Sequence, residues 1–322
     1  MTEDAIDPSL PSDIKKEIIK GYMKPSNLYG YFHGIVPMVA AVIAFYVAAD
    51  ASFLMALFLI PLIGWLYYRI YFPLHDCCHY SLVQGKHVNV FLGYVMAAFL
   101  VTPFESFRRE HVFHHIYYST EKDPGAVDYY LEFKSRTDMA KFLLLPLWGG
   151  TLILKLKEYF HKVENPEKGQ GKDSRIDKVG YVYIMVIQAV VFLIVTNAGT
   201  FADLWRYPVF VLLPGATVFL FLSRLRMFLE HGSLNYITFS YPNRPRKTSR
   251  TFYCNFIELL LLSGAGFKYH YEHHLLPGVP SCHLQTVHEK YIKSIIDPED
   301  LRPSYLSAIA ELWRNIGGKK DK

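Results

Sequence analysis

The sequence predicts an all-α integral membrane protein, with four transmembrane helices carrying a helical cap on the cytosolic side. Three observations carry this expectation. Four apolar runs approach the ~20 residues that a bilayer crossing requires. The chain of 322 residues is 51% hydrophobic, and its mean hydropathy of +0.13 is positive, which favours a membrane protein over a soluble one. Lysine and arginine gather on one side of the apolar runs, as the positive-inside bias demands. A single membrane domain over residues 1–322 is the simplest organisation.

The spans fall near residues 31–49, 53–74, 179–196 and 207–222. Short loops join each pair, Asp50 to Ser52 and Asn197 to Arg206, and both are poor in lysine and arginine. Lys15, Lys16, Lys20, Lys24, Arg224, Arg226, Arg244, Arg246, Lys247 and Arg250 lie on the opposite side. Both termini are therefore expected in the cytosol. The acidic start, Met1-Thr-Glu-Asp4, predicts no cleaved leader. Two more apolar stretches, Val88 to Phe104 and Phe142 to Leu154, are short or broken by Pro146 and Gly149-Gly150. They read as interfacial or buried helices rather than spans. Residues 161–178 are polar and turn-rich, a loop between two halves.

The net charge of +5 is modest and forms no continuous patch, which gives no support to nucleic-acid binding. Four cysteines, Cys77, Cys78, Cys254 and Cys282, form no CxxC pair, against a disulfide framework or a zinc ribbon.

Chemistry concentrates in the histidines. Eight of the fourteen form three clusters: His75-Asp-Cys-Cys-His79, His111-Val-Phe-His114-His115 and His270-Tyr-Glu-His273-His274. Positions i, i+3 and i+4 share one helix face, so each cluster aims its imidazoles at one point. His231 ends the last apolar helix; if that helix runs on past residue 222, it lies ~13 Å beyond, outside the hydrocarbon. Ligands of one site must share a side. The chain then crosses zero times between His79 and His111 and twice between His115 and His270, which makes both doubtful apolar stretches interfacial. Nine imidazoles exceed one four-coordinate zinc and predict two metals, each with four or five nitrogens and an open position. Imidazole alone does not choose between zinc, copper, nickel and iron. Asp76, Glu110, Glu230 and Glu272 adjoin box histidines and are candidates to orient the rings, or else helix-surface charges.

The HxxxH, HxxHH and HxxHH boxes, with the order of spans around them, resemble the membrane fatty acid desaturase superfamily over about residues 30–290. The stretches His75 to His79, Arg109 to His115 and Tyr269 to Pro277 are most similar to its acyl-lipid desaturases. The resemblance implies a di-iron centre, two Fe ions, with O2 as oxidant, a lipid acyl chain as substrate and electrons from a redox partner. It carries over His75, His79, His111, His114, His115, His270, His273 and His274 as ligands, and His231 as the additional one. Three departures stand out. The first box is shorter than the HxxxxH of acyl-CoA desaturases. His270 stands where front-end desaturases carry glutamine. Met227 stands where acyl-CoA enzymes place an asparagine that holds a metal-bound water, which leaves the second iron's coordination open. No HPGG haem motif or GxGxxG fingerprint occurs, so a separate donor of ferredoxin or cytochrome b5 type is expected. The same boxes suit a hydroxylase or a carotenoid ketolase. A metal transporter or sensor, or a membrane zinc hydrolase, are readings from other classes. The expected location is a bacterial inner membrane or the endoplasmic reticulum.

Other residues carry blander expectations. His33, His87 and His161 read as interface residues, and His283 and His288 as packing or capping. Cys77 and Cys78 read as buried packing. The 24 tyrosines and 23 phenylalanines belong mostly to interfacial belts. Tyr67, Tyr68, Tyr71 and Phe72 are candidates to line an acyl tunnel. Arg69 must snorkel or pair, and Asp123-Pro-Gly125 reads as a helix stop. Lys319-Lys320-Asp-Lys322 resembles a dilysine retrieval signal but reads as an ordinary basic tail.

Overall fold

The apolar runs fold as four helices long and apolar enough to cross a membrane: α2 (Asn27–Ala49), α3 (Phe53–Cys78), α7 (Lys178–Val195) and α8 (Phe201–His231). The computed structural model describes residues 10–118, 120, 122–126, 129, 133, 135–154, 156–157, 177–232, 249–264 and 266–317. Residues 161–176, Arg244, Arg246, Lys247 and the terminal segments lie outside them. Ahead of the spans, α1 (Ser12–Tyr22) buries Ile18 against the C-terminal part of the chain.

Ser26 caps α2 by accepting from the Tyr29 N–H. Small residues, Gly30, Gly34, Ala41, Ala44 and Ala48, lie on its buried face with Met38 and Phe45; at Gly30 and Gly34 they let Leu82, Val83 and the Met96 side chain approach closely. The other faces leave Phe32, Ile43, Tyr46, Phe58, Met185 and Val186 exposed, an apolar girdle suited to lipid. At 26 residues, α3 is about 39 Å long against a hydrocarbon core of about 30 Å. Its last turns, which carry the first box, project beyond the span. The same holds for α8, a helix of 31 residues. Two π segments, Pro208–Leu212 and Gly215–Phe219, interrupt it before it runs on as regular helix over Leu220–His231.

Between the first and second boxes lie α4 (Lys86–Phe99) and α5 (Phe104–Tyr117), bent by 103°. Here the structure corrects the sequence reading: α4 does not lie flat on the surface of the bundle. It runs inward beside α2, α3 and α7, burying Asn89, Leu92, Gly93 and Met96 to Phe99. At its end the Gln188 amide of mid-α7 donates to the Ala98 carbonyl, 2.7 Å. The chain then turns back. Gln84 N–H donates to Asn27 Oδ1, 2.8 Å, and Glu105 N–H to Asp177 Oδ2, 2.8 Å, so α4 starts and α5 starts at the end of the bundle where α2 and α7 begin. At 14 residues, or about 21 Å, α4 is too short to cross. The bent pair α4–α5 has the form of a broken span or a re-entrant loop, and the hydrogen bonds that return α5 to the end where α4 starts favour the second. The second doubtful stretch is α6 (Arg136–Leu144) followed by a 3-10 turn, Leu145–Trp148, and left-handed Gly149 (φ +80°).

Beyond α8 the described residues form four α-helices, α9 (Phe256–Leu261), α10 (His270–Leu275), α11 (Ser281–Val287) and α12 (Tyr305–Gly317), which make up the cap with shorter helical turns. A two-residue parallel pairing of Thr251 with Leu301 and Phe252 with Arg302 ties it together. Two basic residues counted toward the charge bias are buried here. Arg226 pairs with Glu230 at 2.8 Å and lies over the rings of Tyr71, Phe72 and Phe267. Arg250 donates to the Leu229 carbonyl, 2.8 Å. Both are structural cations, because a buried guanidinium needs acceptors or aromatic faces to replace water.

Candidate metal centre

Each box sits where its element ends. His75 occupies the last turn of α3 and His79 caps it; His111, His114 and His115 form the end of α5. His231 is the last residue of α8, and His270, His273 and His274 are three of the six residues of α10. These four ends converge, and the nine rings separate into two groups.

In the first group, ligand nitrogens of His75, His79, His111, His115 and His273 all lie within 4.8 Å of one another. The Nε2 atoms of His79 and His111 are 2.8 Å apart, His111 and His115 3.1 Å, and His115 and His273 3.0 Å. In the second, nitrogens of His114, His231 and His274 meet the same limit. His270 joins them, its Nε2 lying 2.8 Å from that of His231 and 3.1 Å from that of His274. The groups touch: the His115 and His274 rings are 4.5 Å apart.

The donor set fits two metal ions. Buried polar atoms normally find a partner, yet both ring nitrogens of His75 and Nε2 of His114 have none. Nitrogens about 3 Å apart are close enough to share one metal ion at the ~2.1 Å of a metal–imidazole bond. Burial and mutual repulsion hold His111, His115, His270, His273 and His274 well below the usual imidazole pKa. His79 is pushed down to about 3 by burial and by the Arg108 cation. All six are neutral at pH 7, the state a ligand must have.

The surroundings of the rings were only partly legible in sequence. His114 Nδ1–H donates to Asp123 Oδ1, 2.8 Å, which leaves Nε2 as the free lone pair. The Gly125 N–H, at 2.8 Å, and the Tyr129 hydroxyl also donate to Asp123. Asp123 is thus a ring-orienting carboxylate, where the sequence suggested only a helix stop; α5 has already ended at Tyr117. Its one sequence signal is an acid soon after the second box. The Tyr118 hydroxyl lies 3.3 Å from His231 Nδ1, and its ring packs 4.5 Å from that of His274.

The four carboxylates next to the boxes divide. Glu110 is exposed on α5. Glu230 accepts from Arg226 and from the Tyr305 hydroxyl, 3.0 Å, and lies 3.5 Å from His270 Nε2. Glu272 accepts from His288 Nδ1–H, 2.6 Å, and from the Thr251 hydroxyl. It anchors α10 to its supports rather than orienting a box ring, and makes His288 part of the scaffold. Asp76 accepts from the Ser281 hydroxyl, joining the first box to α11. Cys77 and Cys78 are buried in the apolar core, and all four cysteines are free. Met227 packs into an apolar cluster with Phe228 and Tyr129 and supplies no ligand.

Comparison with known proteins agrees with this geometry. The family model described as fatty acid desaturase matches residues 51–305, from the start of α3 to the start of α12. A fatty acid desaturase of Bacillus subtilis is 25% identical over 282 residues, 83% of this chain and 77% of that protein. The sn-1 oleoyl-lipid 12-desaturase of a Synechocystis species is 22% identical over 229 residues, 66% of this chain and 62% of its own length. The dihydrorhizobitoxine desaturase of Bradyrhizobium elkanii is 28% identical over 221 residues, 64% and 59% respectively. A match running through all three boxes and His231, on helices that bring those rings together, places the chain in the fatty acid desaturase family.

Proposed function

We propose that this protein is an oxygen-dependent desaturase that introduces a double bond into a fatty acyl chain of a membrane lipid. The carrying observation is the division of nine imidazoles into touching groups of five and four. His75, His79, His111, His115 and His273 would hold one iron, and His114, His231, His270 and His274 the other. When bound, the two irons supply the activation of O2 that removes one hydrogen from each of two adjacent carbons. The balance is one O2, two electrons and two protons to two waters and an alkene. The electrons come from a ferredoxin or cytochrome b5 type partner.

The chain's own residues do the rest. Asp123 fixes the orientation of the His114 ring in the four-histidine group, so that this ligand need not reorganise on binding. Phe72, Phe267 and Tyr71 close an apolar wall beside His75; Phe267 lies 4.6 Å from its ring. Such a wall excludes water from a reacting C–H bond. Lys15, Lys16, Lys20, Lys24, Lys86 and Lys178 lie at the histidine end of the bundle, whereas the one basic residue of the opposite loops, Arg206, pairs with Asp203. This distribution supports a cytosolic metal centre.

The test is lipid profiling of a host that expresses the chain beside one expressing His114→Ala. A new double bond only with the wild-type chain is expected. An unchanged profile from iron-loaded wild-type protein would sink the reading, and hydroxylated or keto lipids would replace it with the sister chemistries.

A further inference from the structure

The face of α3 turned toward α2 and α9 borders a cavity of about 240 Å³. His33 and Val36 of α2, Trp65, Arg69 and Phe72 of α3, and Leu260 of α9 line it. Its inner end is Phe267, the same ring that lies 4.6 Å from His75 and 4.9 Å from Phe72. One aromatic layer therefore separates the cavity from the five-histidine group. Of the tyrosines and phenylalanine of α3 considered for a tunnel, only Phe72 lines it. Tyr67 and Tyr68 instead donate to carbonyls of Val211 and Leu262, and Tyr71 packs against Phe219 and Phe107.

The outer lip of the cavity is apolar and open: Phe32 is 60% exposed, Val36 48% and Leu260 42%. Its far wall, α9, also leaves Phe256 and Ile257 exposed. The depth of α9 follows from its contacts. Trp65, ten residues before His75 and so about 15 Å below it along the helix, donates to the Leu260 carbonyl, 3.1 Å. Arg69 donates to the Ser263 carbonyl, 2.6 Å, and Tyr68 to that of Leu262. Irregular backbone within a bilayer persists only when protein satisfies its polar groups. Three donors from α3, Trp65, Tyr68 and Arg69, meet the end of one short helix and satisfy that condition, which holds α9 beside the lipid-level part of α3.

We propose that the cleft between α2, α3 and α9 is a lateral doorway, through which one acyl chain of an intact membrane lipid passes from the bilayer to the metal centre, with Phe267 as the last residue it passes. The apolar lip matches a hydrocarbon chain, and the exposed faces of α2 and α9 put its mouth among lipid tails. The proposal rests on the reading of the site as an acyl-lipid desaturase and names where its substrate enters.

The test uses the iron-loaded full chain in phosphatidylcholine nanodiscs, supplied with O2 and a reduced ferredoxin as electron donor and doped with a phosphatidylcholine that carries a photoactivatable diazirine in one acyl chain. Adducts are mapped by mass spectrometry, and double-bond formation in the bilayer lipid is followed in parallel. Adducts at Trp65 and Phe267 are expected in the wild-type chain. Val36→Trp and Ala40→Trp, which fill the mouth from the lipid side, should lower those adducts and the double-bond yield about tenfold. Val186→Trp on the lipid face of α7 should change neither. Labelling of α7 and the outer face of α2 without cleft adducts, with both mouth variants forming the double bond at the wild-type rate, would overturn the doorway and leave the desaturase reading standing. Cleft adducts blocked by the two tryptophans without any double bond in the wild-type chain would uphold the doorway and overturn the desaturase reading instead.

Discussion

At the scale of single residues, the centre depends on carboxylates that choose a tautomer. Asp123 takes the Nδ1–H of His114 while two further donors hold it in place. Removing such an outer partner typically costs ~10–100-fold in metal affinity. Asp123→Asn should therefore fold but lose metal to a chelator at concentrations about that much lower, as read by metal content after dialysis; unchanged retention would remove Asp123 from the role. His273→Ala, by contrast, should abolish turnover outright. Eight of the nine imidazoles were grouped by spacing, because i, i+3 and i+4 on a helix leave little choice of direction; His231 came from its place beyond the last span and from the family resemblance. Asp123 was not, since it reaches back from a turn whose path no periodicity encodes. Arg226 misled for a related reason: a cation next to a span reads as a surface charge until Glu230 and three aromatic rings are seen around it.

At the scale of elements, the short apolar helices hold what the sequence reading did not. Hydropathy placed α2, α3, α7 and α8 because a span must be long and apolar; α9, with six residues, falls below any such window. Its depth is set by donors on α3, and these predict a cost. Arg69→Leu leaves the Ser263 carbonyl without its donor and should destabilise the protein by about 1–3 kcal/mol, seen as a lowered thermal midpoint in detergent. Ile257→Asp would place a charge on the lipid-facing side of α9 at an expense of up to ~3 kcal/mol if that helix is embedded. An unaltered midpoint and normal membrane insertion would show that α9 lies in water. The insertion of α4 was hidden for a different reason. A mostly apolar helix of fourteen residues suits the interface and a half-depth position equally, and only partners such as Gln188 decide.

At the scale of the whole molecule, the cap gathers neutral histidines out of water, and pH follows from that. In the folded metal-free chain the box imidazoles outside the spans bind protons only well below their usual range, whereas unfolded imidazoles titrate near about 6.5. Between those values the unfolded chain holds more protons, so stability rises with pH there. The chelated protein should keep its thermal midpoint from pH 8 to 7 and lose it progressively as pH falls below about 6.5. A midpoint flat to pH 5 would contradict buried neutral rings. Bound metal, competing with the same protons, should shift the loss to lower pH.

The most direct measurement is metal quantification on freshly purified full-length chain. Groups of five and four nitrogens predict two irons per chain, with His231→Ala losing one and His79→Ala the other. One metal per chain, or two zinc ions and no iron, would contradict the account.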